Sequence, residues 1–107
     1  MGKAQRTKGA SGEREVCRLL RGVLGIEAKR NLSQTREGGC DIAVGSFHIE
    51  VKRRALIGNI YGWMEQAEAS CLAGEKPVVV CRADGKKWLA VLPFEEFMRL
   101  AGNELED

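Results

Sequence analysis

The segment from residue 38 to residue 52 is typical of a β-hairpin, and it restricts the possible folds more than any other part of the chain. Runs rich in β-branched and aromatic residues flank Gly45-Ser46, and glycine at the first central position suits a two-residue type II′ turn. That turn places Asp41 opposite Glu50. Because side chains alternate between the two faces of a strand, one face carries Asp41, Glu50 and Lys52. The other, apolar face comprises Ile42, Val44, Phe47, Ile49 and Val51.

The two opposed carboxylates of the hairpin require an explanation. Directly opposed residues have Cβ atoms about 5 Å apart, and like charges at that distance are destabilising. A bound divalent cation would offset the repulsion, because Mg²⁺ takes oxygen ligands from one or two carboxylates. A solvated face of mixed charge would produce the same spacing, so the hairpin alone leaves both interpretations open.

Composition indicates one soluble domain. The chain has 107 residues, of which 44% are hydrophobic and 30% charged, which is ordinary for a globular protein. No apolar run approaches the roughly 20 residues that span a bilayer, and the polar start is no signal peptide, so we expect a cytoplasmic protein with no membrane contact. The single histidine and four scattered cysteines indicate neither a zinc site nor a disulfide framework.

Charge is distributed unevenly along the chain. The net charge is only +2, but basic residues dominate the first third and acidic residues the remainder. A basic N-terminal third indicates an anionic partner, most often nucleic acid, although a solvated basic tail is the alternative. We expect residues 1–11 to form a flexible basic arm and residues 12–107 a single domain.

Hydrophobic periodicity predicts three helices and five strands. The first helix is expected to begin after Ser11, as its N-cap, and to end at Gly25, with Arg14, Arg18 and Arg21 as a basic stripe. The other helices are predicted over residues 60–73 and from Pro93 onward, and the strands over 26–30, the two arms of the hairpin, 77–82 and 87–92. Phe94, Phe97, Met98 and Ala101 of the last helix are expected to face the core. The order α-β-β-β-α-β-β-α gives an α/β fold with a mixed central β-sheet flanked by helices.

An ordered set of residues resembles the PD-(D/E)XK nuclease superfamily, and within it the archaeal-type and phage-borne Holliday junction resolvases. The matching residues are Lys8-Gly9, Glu13-Arg14-Glu15, Gly25, Arg30, Asp41, Glu50-Val51-Lys52 and Trp88. The resemblance covers residues 8–92. It implies a restriction-endonuclease-like core, Mg²⁺- or Mn²⁺-dependent hydrolysis of phosphodiester bonds, and a homodimer acting on branched DNA such as a four-way junction.

The resemblance also implies roles for particular residues. The catalytic set is Glu13, Asp41, Glu50 and Lys52, and the metal ligands are Glu13, Asp41, Glu50 and the carbonyl of Val51. Arg14 and Arg30 resemble family arginines near the scissile phosphate. Further contacts with the DNA backbone are expected from Lys3, Arg6, Lys8, Arg36, Arg53 and Arg54. Ser33 in the polar loop and Gln66 on the second helix are further candidates.

The same chemistry follows from the residues themselves. A cation held by the carboxylates can stabilise the charge that develops on a phosphodiester and lower the pKa of a bound water, and Lys52 can orient that water. Two alternatives remain: another structure-selective or nicking nuclease of the superfamily, or a non-catalytic DNA-binding module that retains the fold. We expect His48, on the same face, to be exposed. Tyr61, Trp63 and the last helix are candidates for either a dimer surface or the core.

Overall fold

The computed structural model describes residues 2–24, 29–30 and 42–106, and it describes side chains from residue 9 to residue 24 and from residue 42 onward. The elements are α1 (Gly2–Leu24), β1 (Lys29–Arg30), β2 (Ile42–Val44), β3 (Phe47–Arg54), α2 (Ile60–Ser70), β4 (Lys76–Ala83), β5 (Leu89–Val91) and α3 (Phe94–Glu104). Their order confirms the predicted α/β arrangement with helices flanking a mixed sheet.

The sheet has the strand order β1-β2-β3-β4-β5. The pairs β1–β2, β2–β3 and β4–β5 are antiparallel, whereas β3 and β4 are parallel and are connected through α2. The hairpin has the predicted register, with Ile42 opposite Ile49 and Val44 opposite Phe47. Gly45 has a φ of +56°, a backbone conformation that glycine adopts without the steric cost other residues incur.

Helix α1 covers one face of the sheet. Val16 and Cys17 are buried in a cluster with the apolar hairpin face and with Val78 of β4. The helix lies unusually close to β3 at Gly12, where an added Cβ would be 3.3 Å from Arg53 Cβ and 3.5 Å from Val51 Cγ1. Glycine therefore permits a contact between helix and strand that a larger side chain would obstruct.

Helix α2 covers the opposite face. Trp63 and Ala67 pack against Val79 and Cys81 of β4, so β4 is buried on both sides, as its continuous apolar run predicted. Burial raises the pKa of the Cys81 thiol. Asn59 caps the helix, because its Oδ1 accepts a hydrogen bond from the Gly62 amide at 3.3 Å.

Two predicted helix boundaries are wrong. Helix α1 begins at Gly2 rather than after Ser11. The residues before Ser11 include several strong helix formers and no proline, so nothing stops the helix there. Helix α2 ends at Ser70, short of residue 73, because Cys71 adopts an extended conformation. The division of the chain into an arm over residues 1–11 and a domain over 12–107 stays a prediction.

The prediction that the apolar face of α3 packs into the core is also wrong. Phe94 is 70% exposed and Phe97 is 52% exposed, and Met98 is exposed as well. Helix α3 follows the short edge strand β5, two of whose three residues are themselves exposed, so little apolar surface is available to cover the helix. Phe94 and Phe97 instead stack on each other, with ring centroids 6.2 Å apart.

Candidate active site

Strand β3 presents Glu50 and Lys52 on the face of the sheet covered by α2. Glu50 pairs with Val79 and Lys52 with Cys81 across the parallel ladder, and paired residues share a face of the sheet. Glu50 is only 5% exposed, whereas Lys52 is half-buried. The predicted placement of this carboxylate and this ammonium on one face is confirmed.

Helix α2 contributes a third polar group to this face. Gln66 Oε1 accepts a hydrogen bond from Lys52 Nζ at 3.0 Å. Gln66 therefore reaches Lys52 from the second helix, as expected, and its role in the site stays a prediction. Lysine can donate three hydrogen bonds, so this contact leaves two donors of Lys52 for other acceptors.

His48 lies between two carboxylates on the same face. Its Nε2 is 3.7 Å from Glu50 Oε2, and its Nδ1 is 3.3 Å from Glu75 Oε1. The expectation that His48 is exposed is wrong, because the side chain is only 3% exposed. Glu75 lies in the connection between α2 and β4. This connection passes beside the start of β3.

The acid expected from the first helix is buried. Glu13 is 8% exposed and follows Gly12, where an added Cβ would contact Val51 and Arg53 of β3. The side chain of Val51 packs in the core below α1. The roles of Glu13 and of the Val51 carbonyl as metal ligands stay predictions.

Three predicted site residues, Ser33, Arg36 and Asp41, lie outside the described residues. Arg30 belongs to β1, where its backbone pairs with Ile42, the residue that follows Asp41 in the sequence. The pairing brings the backbone of Arg30 beside the first residue of β2, although the side chain of Arg30 is outside the described set. Its role as a phosphate contact stays a prediction.

The predicted DNA-binding residues occupy different environments. Lys3, Arg6 and Lys8 lie on α1, with side chains beyond the described ones. Further along the same helix, Arg14, Arg18 and Arg21 are exposed and line a common surface depression. The basic stripe predicted on this helix is therefore present.

Arg53 and Arg54 at the end of β3 make contacts within the protein. Arg53 Nε is 3.6 Å from Asp84 Oδ1. The guanidinium of Arg54 lies over the Trp63 ring, 5.8 Å from its centroid, and also donates a hydrogen bond to the Arg53 carbonyl. Both side chains are half-buried, so any DNA contact would use only the part of each guanidinium that faces solvent.

Sequence reasoning missed a polar cluster beneath α1. Arg82 Nη2 donates a hydrogen bond to Glu15 Oε1 at 3.3 Å, and the Arg82 guanidinium lies 5.2 Å from the Trp88 ring centroid. Burial raises the pKa of Glu15, but the Trp88 indole and the Arg82 and Arg53 guanidinium groups outweigh it and leave that pKa below its ordinary 4.5. The alternation of side chains along β4 could have indicated that Arg82 faces α1. No local feature of the sequence indicated that its partner is Glu15.

A second polar cluster was also missed. His48, Cys71 and Glu75 each direct a potential ligand atom to one place, and these three atoms lie within 4.8 Å of one another. The cysteine and the histidine are far apart in sequence and form no recognisable metal-binding motif. Only the fold of the connection between α2 and β4 brings them together.

Comparison with known proteins decides the family. The family described as "Phage putative PDDEXK endonuclease" matches residues 4–105. The chain belongs to this family. Membership confirms the predicted PD-(D/E)XK superfamily and indicates a nuclease, and PD-(D/E)XK nucleases usually use divalent metal ions. No curated protein and no solved structure matches the chain. In the part of this PDDEXK protein that the structure describes, no helix is long and apolar enough to cross a membrane.

Proposed function

We propose that this PDDEXK protein is a Mg²⁺- or Mn²⁺-dependent endonuclease that hydrolyses phosphodiester bonds in branched DNA, with the four-way Holliday junction as its substrate. The observation that supports hydrolysis most directly is the arrangement on β3. Glu50 and Lys52 share one face, and Gln66 holds the Lys52 ammonium through a hydrogen bond of 3.0 Å. Family membership supports the same chemistry.

The acidic residues would hold the metal ion. Glu50, Asp41, Glu13 and the Val51 carbonyl are oxygen donors, the ligand type that Mg²⁺ and Mn²⁺ prefer. When bound, the ion stabilises the negative charge that develops on the phosphoryl oxygens and on the leaving oxygen. Because Glu50 is almost fully buried on β3, few positions are open to its carboxylate, which lies 3.7 Å from the His48 imidazole.

Lys52 would position the attacking water. With one donor committed to Gln66, its ammonium still has two N–H groups for the water and a phosphate oxygen. Positioning of this kind lowers the barrier because the reactants no longer lose orientational freedom during the reaction. Lys52 extends from β3 and Gln66 from α2, so both side chains are attached to regular elements of the fold, as such positioning requires.

The branched substrate and the homodimer form the more specific part of the proposal. Two symmetric cuts across a junction require two active sites, which a dimer supplies. The exposed apolar face of α3 supports self-association, since exposed apolar patches of this kind mark interaction surfaces. The basic stripe on α1 supports DNA binding, because arginine pairs bidentately with phosphate.

The test is cleavage of an end-labelled four-way junction in Mg²⁺, alongside flap, nicked and linear duplexes, with Lys52→Ala as the inactive reference. Paired symmetric cuts confined to the junction would support the whole proposal, and sedimentation velocity of the same sample should show a dimer. Equal cutting of the other DNAs would support a nuclease but contradict its specificity for the four-way junction. Absence of cutting by the wild type in both Mg²⁺ and Mn²⁺, with junction binding retained, would favour the non-catalytic DNA-binding module.

A further inference from the structure

We propose that His48, Cys71 and Glu75 form a binding site for a zinc-class divalent cation, separate from the carboxylate site. Their ligand atoms lie within 4.8 Å of one another, and the residues come from two segments, β3 and the connection between α2 and β4. His48 is almost fully buried, while Cys71 and Glu75 are half-buried. The site is therefore sheltered on one side and accessible from the other.

The connection that carries two of the ligands is held in a fixed conformation. The Leu72 amide donates a hydrogen bond to Glu75 Oε1 at 2.8 Å, and the Glu75 amide donates one to the Leu72 carbonyl at 3.0 Å. Gly74 has a φ of +86°, which allows the chain to turn between them. The carboxylate of Glu75 is thus oriented by its own loop before any ion binds.

The other end of the connection is fixed to the hairpin. The Lys76 amide donates a hydrogen bond to the Ser46 carbonyl at 2.9 Å, and Pro77 pairs with His48 in the parallel ladder. These contacts hold the imidazole and the loop ligands in register. The ligand atoms are therefore preorganised, which reduces the loss of conformational entropy when a metal ion binds.

The donor set selects the class of ion. Imidazole nitrogen, thiolate sulfur and carboxylate oxygen are the ligands of Zn²⁺, whereas Mg²⁺ takes oxygen ligands alone. In a tetrahedral zinc site with bonds of about 2.0–2.3 Å, neighbouring donors lie about 3.3–3.8 Å apart. The 3.3 Å between His48 Nδ1 and Glu75 Oε1 already fits. The remaining donor, Cys71 Sγ, lies within 4.8 Å of the other two, so it would need to move by at most about 1.5 Å, which a change in the cysteine side-chain torsion can supply.

The position of the second nitrogen of His48 is compatible with coordination through Nδ1. A metal-bound histidine almost always directs its other ring N–H to a carboxylate, a carbonyl or a water. His48 Nε2 is 3.7 Å from Glu50 Oε2 and makes no hydrogen bond to a described residue. Coordination through Nδ1 would leave the proton on Nε2, facing Glu50. If the proposed function is correct, the zinc site adjoins a catalytic carboxylate.

The test is direct metal binding by the full-length protein after treatment with a chelator. We expect one equivalent of Co²⁺, used as a spectroscopic probe, to produce a thiolate-to-metal charge-transfer absorption that Zn²⁺ abolishes by displacement. Cys71→Ala should remove this absorption and weaken Zn²⁺ binding more than tenfold, and Glu75→Gln should weaken binding to a similar degree. Glu68→Gln, which changes an exposed acid on α2, is the matched control and should retain both the absorption and the affinity. Glu50→Gln should retain the absorption, since Glu50 supplies none of the three ligand atoms.

Two results would overturn the proposal. One is the absence of thiolate absorption in the wild type; the other is equal Zn²⁺ affinity in the wild type and Cys71→Ala. Loss of binding in Glu50→Gln together with no thiolate absorption would assign the ion to the carboxylate site instead. Circular dichroism of each variant checks folding, and Glu75→Gln tests the site even if Cys71→Ala does not fold. None of these measurements depends on DNA cleavage, so failure of the proposed nuclease function would be recognised separately.

Discussion

The contact between Lys52 and Gln66 gives the most specific prediction about activity. Replacing Gln66 by alanine removes the acceptor that lies 3.0 Å from Lys52 Nζ. The Gln66 side chain is exposed, so no core packing is lost, and we expect the free energy of unfolding to fall by no more than about 1 kcal/mol, the contribution of one exposed hydrogen bond. Any effect on cleavage should therefore come from the position of the lysine and not from partial unfolding.

The size of the effect follows from the exposure of this hydrogen bond. Hydrogen bonds to charged groups contribute about 1.5–3 kcal/mol, but water competes for an exposed one, so we expect about 1 kcal/mol here. Since about 1.36 kcal/mol corresponds to a tenfold change in rate, Gln66→Ala should slow cleavage about fivefold. Lys52→Ala removes the positioning group itself and should slow cleavage by about 10²–10⁴, the range typical of acid–base and positioning groups.

The assay is single-turnover cleavage of end-labelled DNA at saturating Mg²⁺, in which the rate constant is measured separately from DNA affinity. Glu65→Ala, an exposed neighbour on the same helix, is the matched control and should be unaffected. Because Gln66 acts through Lys52, the double variant should be no slower than Lys52→Ala alone. A further fivefold loss in the double variant, or no loss in Gln66→Ala, would refute the positioning role.

Three further predictions concern the stability of the fold. Gly12→Leu should lower the free energy of unfolding by about 1–3 kcal/mol, because the Cβ of the leucine would already lie close to β3. Gly22→Ala is the control: no atom lies near the added Cβ, so this variant should raise the free energy of unfolding by up to about 1 kcal/mol. Chemical denaturation measures both changes. Because the pKa of Glu15 lies below its ordinary 4.5, its pair with Arg82 stabilises the protein above that pH and the stabilisation is lost as pH falls through the lowered pKa. Thermal melting should therefore show the wild type more stable than Glu15→Gln at pH 7, with the difference shrinking below about pH 4.5; a constant difference would contradict the pairing. Asn59→Ala should cost about 1 kcal/mol through loss of the cap on α2, and an unchanged melting temperature would show that the cap contributes nothing.

The hairpin could be predicted from the sequence because its signals are local. Alternation with period two assigns each side chain to a face, and Gly45 fixes the register through the turn. Once the register is set, Glu50 and Lys52 must share a face. The same reasoning extends to β4, whose continuous apolar run indicates burial on both sides.

Other features depend on contacts that no local pattern contains. The periodicity of α3 predicts an apolar face, but it does not indicate whether another element covers that face. His48 is buried beside Glu75, a residue far along the chain. The pair between Glu15 and Arg82 joins residues 67 positions apart. The start of α1 was missed for a different reason, since a serine that can cap a helix can also lie within one.

The parallel pairing of β3 with β4 has a consequence for the order of events during folding. The β2–β3 hairpin needs only local contacts and can form within about 1–10 μs, but β4 must close a long loop before it pairs, which is slower. Helix α2 packs mainly on residues of β4, so Gln66 is held beside Lys52 only after β4 has joined the sheet. A nascent chain that has emerged only as far as α2 would therefore hold the hairpin but not the arrangement that we associate with cleavage.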